Sequence, residues 1–148
     1  MARGPLTLER FLPYRLSVIT NRISGALSRH YAVRFGISIP EWRVIANLGR
    51  YPGLSANQVA ERSAMDKVTV SRAVAGLERK GLLERVRDGA DKRRSRLTLS
   101  ARGTDVYAEI APLALGFERD LLTALTPDEA QQLDRIIDKL NAKMNDLA

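Results

Sequence analysis

Apolar residues at Leu16, Ile19, Ile23, Leu27 and Tyr31 recur at steps of three and four, the period of a helix with one buried stripe. Gly36 is placed to close that helix. Ser38-Ile-Pro-Glu41 reads as a capping box, in which the serine hydroxyl accepts from a free amide and the glutamate reaches back. A second helix follows, apolar at Trp42, Ile45, Ala46 and Leu48, and Tyr51-Pro52-Gly53 ends it because proline cannot continue a helix. Ser55-Ala-Asn-Gln58 is another capping box and predicts a short third helix to about Arg62. Asp66 is a good N-cap for a fourth, with Val70, Ala73, Val74 and Leu77 on its buried side. Gly81 stands where a left-handed C-terminal cap belongs.

After Gly81 the period changes. Leu83-Glu-Arg-Val-Arg87 and Arg94-Ser-Arg-Leu-Thr-Leu99 alternate like strands, on either side of the turn-rich basic loop Asp88 to Arg93. Two short helices joined by a tight turn, then a hairpin, make a winged helix-turn-helix. Ser100 caps the next helix, apolar at Val106, Ile110, Leu113, Phe117 and Leu121; Pro112 lies inside it and predicts a kink, not two helices. Thr126-Pro-Asp-Glu129 opens a last helix carrying Leu133, Ile136, Ile137, Leu140, Met144 and Leu147. The expected fold is mainly α with a small β part (α+β): an N-terminal dimerisation helix in residues 1–35, a winged helix-turn-helix in 36–100, and C-terminal dimerisation helices in 101–148. The outer helices carry more apolar stripe than one small core can cover. A two-fold homodimer is the simplest way to bury it.

Charge sharpens the picture. Lys plus Arg number 24 against 17 Asp plus Glu, a net +7 over 148 residues. Between Asp66 and Arg102 stand eleven basic residues against five acidic ones, so a quarter of the chain holds nearly all of the surplus. That concentration favours a polyanion as partner. The chain has no cysteine and one histidine, which excludes disulfides and thiol redox chemistry and leaves a poor ligand set for zinc; no metal or cofactor is expected. The same scarcity argues against an enzyme, as does the lack of a phosphate-binding glycine loop. Asp88 and Asp91 sit in a basic loop, where salt-bridging accounts for them. Glu9, Arg10, Pro13 and Arg15 interrupt the first apolar stretch, so neither a signal peptide nor a membrane span is expected there, and the expected location is cytoplasmic with no membrane partner.

A recognition helix offers its N-terminal residues to base edges. Here these are Lys67, Thr69, Ser71 and Arg72: Lys and Arg suit guanine acceptors, and Ser and Thr suit several bases or phosphates. Val70 reads either as core or, like the Thr69 methyl, as a contact for a thymine methyl. In the wing, Arg93, held by a carboxylate such as Asp91, has the reach to enter a narrow minor groove. Lys92, Arg94 and Arg96 suit phosphates, which fix register without reading sequence. Double-stranded DNA is therefore the expected partner. A sequence-indifferent architectural protein would carry the same charge and remains the alternative.

The runs Asp66-Lys-Val-Thr-Val-Ser-Arg72, Leu77-Glu-Arg-Lys-Gly-Leu-Leu83, Asp91-Lys-Arg93 and Leu97-Thr-Leu-Ser100 together resemble the MarR family of bacterial winged helix-turn-helix transcription regulators. The resemblance extends over most of the chain. It implies a dimer holding two winged domains over successive major grooves of a pseudo-palindromic operator, with Arg93 probing the minor groove and Asp91 orienting it. It implies repression, and a small aromatic or anionic effector bound between the dimer helices and the winged domain. Phe11-Leu-Pro-Tyr-Arg-Leu-Ser17 is similar to members that control aromatic-acid catabolism, some of which sense aromatic acyl-CoA thioesters. Lack of cysteine sets the chain apart from peroxide-sensing members, and a single histidine from zinc-sensing ones. For the effector, Tyr14, Tyr31 and Trp42 are candidate aromatic walls, and Arg15, Arg22, His30 and Arg43 candidate partners of a carboxylate. Each also has an ordinary structural reading: core packing for Trp42, a merely structural helix histidine for His30, and solvent or an acidic neighbour for Arg22.

Overall fold

The computed structural model describes residues 4–87 and 95–148. After a 3-10 turn (Leu8–Arg10) come α1 (Leu12–Ser28), α2 (Ala32–Phe35), α3 (Ile39–Arg50), α4 (Ala56–Ser63) and α5 (Lys67–Arg79). Strands β1 (Leu83–Arg87) and β2 (Ser95–Leu99) follow, then α6 (Ala101–Leu122) and α7 (Pro127–Leu147). The chain divides into two compact units, Met1–Pro112 and Leu113–Ala148.

The core of the first unit gathers most of the residues the pattern placed inward, together with Val44 and Val59, which the pattern did not single out, while Trp42 and Ala46 stay half-buried. Val44, Ile45 and Leu48 of α3, Val59 of α4, Val70, Val74 and Leu77 of α5, Leu97 of β2 and Ile110 of α6 are fully or almost fully buried. The caps explain why the helices start where they do. Ser38 and Ser55 each accept from the backbone N–H of N3, and Glu41 and Gln58 return the bond. Asp66 caps α5 by accepting from Thr69 N at 2.8 Å, and Gly81 takes the positive φ of 73° that the turn into β1 requires. The strands pair antiparallel, from Leu83 opposite Leu99 to Arg87 opposite Ser95, and Leu54 adds a bridge to Leu97. The hairpin and helix-turn-helix are thus one folded block.

In the second unit α7 opens on a complete capping box at Thr126 and Glu129. Its apolar residues Leu133, Ile136, Ile137, Leu140, Met144 and Leu147 are all at least 40% exposed. α6 is one helix with Pro112 inside it, not two.

One element differs from the periodicity. The first helix does not continue to Tyr31; it stops at Ser28, and a turn leads into the short α2, which Gly36 closes with φ of 66°. The N–H groups of His30 and Tyr31 bond three residues back, to Leu27 and Ser28, and the Ser28 hydroxyl donates to the Gly25 carbonyl at 2.7 Å. This tightened turn swings Tyr31 into the core, where it is 1% exposed. The spacing of Tyr31 matched the helix, but burial in the winged block decided its place. α1 buries no residue, and Leu12, Leu16 and Ile19 stand exposed along it.

Candidate nucleic-acid interface

α5 is held by its apolar side and leaves the other open. Lys67, Val68, Ser71 and Arg72 are exposed near its start, and Thr69 is half-buried. Among the described residues neither Lys67 nor Arg72 is in an ion pair. Two sequence expectations are refined here. Val70 is 1% exposed and belongs to the core, whereas Val68 is 59% exposed and carries the methyl groups available to a base. The Thr69 hydroxyl donates to Asp66 Oδ2 at 2.5 Å, so its proton is already engaged and the hydroxyl is left to act as an acceptor. The two hydrogen bonds from Thr69 hold the Asp66 carboxyl below the ordinary carboxylate pKa.

Arg72 lines an open groove of about 360 Å³ with Arg79, Ser38, Pro40, Thr69 and Gly76. Sequence reasoning counted Arg79 as charge but gave it no place. The signal was present: Arg79 follows Arg72 by seven residues, two helical turns, and so shares its face. In the wing, Arg96 is exposed on β2. Asp91, Lys92, Arg93 and Arg94 lie outside the described residues. Arg85 of β1 is tied at 2.7 Å to Glu78 at the end of α5.

The candidate effector residues fall into two groups. Tyr14, Arg15 and Arg22 line an open groove of about 350 Å³ along α1, with Glu9, Val18 and Ile19. Tyr31, Trp42 and Arg43 form the second. The Tyr31 and Trp42 ring centroids are 5.8 Å apart, Trp42 stacks on Tyr107 at 6.3 Å, and Arg43 donates to Ser24 Oγ at 3.1 Å. Burial raises the Tyr31 phenol above the ordinary tyrosine pKa, and the Arg43 guanidinium pulls it the other way. Tyr107, which sequence reasoning passed over, lies against Gly49, where a Cβ would come within 2.5 Å of the ring. His30 is exposed in the turn after α1. Among the described residues no cluster of His, Asp or Glu could hold a metal ion, and no helix is long and apolar enough to cross a membrane.

Comparison with known proteins agrees with this architecture. The residue pattern of the MarR family matches residues 35–94. An HTH-type transcriptional repressor of Mycobacterium tuberculosis is 25% identical over 133 residues, 89% of this chain and 92% of that protein. The crystal structure of a MarR family transcriptional regulator from Silicibacter pomeroyi is 30% identical, with a TM-score of 0.80 over 94% of this chain and 93% of the other. The PcaV transcriptional regulator from Streptomyces coelicolor, solved in complex with its natural ligand, is 26% identical, with a TM-score of 0.78 over 95% and 98%. With the helix-turn-helix, the hairpin and the flanking helices all in place, the chain belongs to the MarR family of DNA-binding transcriptional regulators.

Proposed function

We propose that this protein is a sequence-specific repressor that binds a pseudo-palindromic operator as a homodimer and is released by a small aromatic or anionic effector. The observation that carries the reading is the outward row Lys67, Val68, Ser71 and Arg72 on a helix whose opposite side is locked in the core. Lys67 and Arg72 suit guanine acceptors, and Val68 suits a thymine methyl. Arg79 beside Arg72, with Lys92, Arg94 and Arg96, supplies phosphate contacts, and Arg93 oriented by Asp91 supplies a minor-groove contact. The exposed stripe of α7, with Leu12 and Leu16 of α1, is the surface a second copy would cover. On this reading residues 1–35 and 101–148 serve dimerisation around a DNA-binding block at 36–100. Two recognition helices roughly 34 Å apart then enter successive major grooves. The repressor among the relatives supports the direction of control.

The ligand held by PcaV supports an effector. Of the two residue groups, the α1 groove suits it better: Arg15 and Arg22 stand beside the apolar side chains of Tyr14, Val18 and Ile19, two cations against the carboxylate of Glu9. An aromatic carboxylate or its acyl-CoA thioester matches that chemistry. Such a ligand weakens DNA binding only by its preference for one arrangement of the recognition helices, typically about 1–3 kcal/mol of coupling.

Selection of bound duplexes from a random DNA library, at near-physiological salt, tests the reading. The expected product is an inverted repeat with half-sites about one helical turn apart. Tight, salt-sensitive binding without enrichment would instead identify a sequence-indifferent architectural protein.

A further inference from the structure

We infer that the Glu41–Lys80 ion pair sets the angle of the recognition helix and so acts as a specificity-determining positioning pair; the inference rests on the DNA-binding reading above. Lys80 directly follows the last turn of α5. Its ammonium donates to three oxygens: the Gly36 carbonyl at 2.6 Å, Glu41 Oε1 at 2.7 Å and Glu41 Oε2 at 2.9 Å. An ammonium has three protons. One meets the Gly36 carbonyl and one is shared between the two oxygens of the Glu41 carboxylate, so the ammonium is tied to both residues at once.

The Glu41 side chain is 8% exposed, and its Oε1 also accepts from Ser38 N at 2.8 Å. The carboxylate meets α5 a second time at Gly76, where a Cβ would stand 2.5 Å from Oε2. Gly76 and Lys80 are four residues apart, one turn of the same helix. Glu41 therefore meets α5 at two heights, while Ser38, which donates to Glu41, and Gly36, which accepts from Lys80, belong to the turn between α2 and α3. The apolar contacts of Val70, Val74 and Leu77 choose which face of α5 points inward. They allow small rotations and slides, which directional bonds to a buried carboxylate do not. Base readout requires placement within about 0.5 Å and 10–20°. The neighbours of Glu41 in sequence, Trp42 and Arg43, reach Tyr31 and Ser24, so one turn of α3 touches both the recognition helix and α1–α2.

The test compares affinities for the selected operator and a scrambled duplex over a range of salt, using wild type, Lys80→Met, Lys80→Arg and the double variant Glu41→Met with Lys80→Met. Thermal melting reports folding. Lys80→Met is expected to lose about tenfold of the preference for operator over scrambled DNA, with an unchanged salt slope on the scrambled duplex. Lys80→Arg, which still reaches the carboxylate, is expected to recover most of that preference. The double variant leaves no buried charge to unfold the protein and is expected to show the same loss as Lys80→Met. Equal loss on both duplexes with the slope reduced by about 0.9 would make Lys80 a phosphate contact and overturn the inference. So would a folded single or double variant with undiminished preference. Failure of the broader reading looks different, because wild type would then prefer neither duplex.

Discussion

Gly103, in the first turn of α6, packs against the main-chain carbonyl of Leu82 so closely that a Cβ cannot be fitted between them. Ser100 stitches the same junction: its N–H donates to the Leu82 carbonyl at 3.0 Å and its hydroxyl to the Gly81 carbonyl at 2.7 Å. The start of α6 is thereby fixed to the end of the recognition-helix turn. Gly103→Ala forces one backbone away from the other. Overpacking commonly costs about 1–3 kcal/mol, and a rigid carbonyl gives way less than a side chain, so the upper end is expected. In a chain of this length that is a fall in Tm of roughly 6–12 °C. Calorimetry checks it, and an unchanged Tm would mean the junction has more play than these contacts describe.

Asp66 makes the N-terminal turn of α5 sensitive to acid. Its folded pKa is depressed, first by the hydrogen bond from the Thr69 hydroxyl and then by that from the Thr69 N–H. A depressed carboxyl stabilises the folded state above its unfolded pKa, and that contribution disappears as pH falls through the folded value. The cap is therefore fully formed at neutral pH, and the turn bearing Lys67, Val68 and Thr69 is expected to fray below about pH 4. Amide exchange at Thr69, followed from pH 6 to pH 3, reads this directly. Asp66→Asn keeps an oxygen for the Thr69 N–H but has no charge to lose, so its exchange should not rise in acid through this group.

Much of this fold is written locally. The capping boxes at Ser38, Ser55 and Thr126, the cap at Asp66 and the glycine at position 81 are short-range devices whose partners lie within a few residues, and each formed where expected. The alternation of Leu83 to Arg87 and of Arg94 to Leu99 likewise announced the hairpin, whose strands pair over Leu83–Arg87 and Ser95–Leu99. Long-range packing was not legible in the same way. Tyr31 kept helical spacing with Leu27 yet left the helix, because the core of the winged block draws it in. Val70, by contrast, shares helical spacing with Val74 and Leu77 and is buried with them, while Val68 falls on the side of Arg72 and is exposed. Lys80 read as one more surface cation, since its partner Glu41 lies 39 residues away in sequence.

The exposed stripe of α7 carries the dimer proposal. Ile137, 46% exposed among Leu133, Ile136, Leu140 and Met144, is the residue to change. Ile137→Glu puts a charge in the middle of the stripe, where burial against a partner would require desolvating it. Sedimentation is expected to show a monomer where wild type is a dimer. Operator affinity should fall by about a hundredfold or more as the avidity of two linked half-site contacts disappears. A variant that still sediments as a dimer would move the interface off α7.

Arg72, Arg79 and Arg93 are all cations proposed to meet DNA, but they should fail differently when removed. Arg72 stands at the exposed start of α5 among the proposed base readers. Losing a bidentate contact to guanine costs about 1–3 kcal/mol and costs it only where that guanine stands. Arg72→Ala should therefore relax preference at one position in each half-site of the selected operator. Arg79, two turns further along the same groove, lies beyond the helix start and is expected to serve a phosphate. Arg79→Ala should weaken all duplexes alike and lower the salt slope by about one. Arg93→Ala should also lower the slope by about one, and its loss should be greatest on operators whose flanks are A·T-rich, because a narrow minor groove concentrates negative potential around an inserted arginine. Binding titrations over a salt series, on duplexes differing in one half-site base or in the flanks, separate the three. If Arg72→Ala produced a uniform loss, it would be a phosphate contact, and base reading by α5 would fall to Lys67 and Val68. If Arg93→Ala left affinity and slope untouched, the wing would have no part in binding.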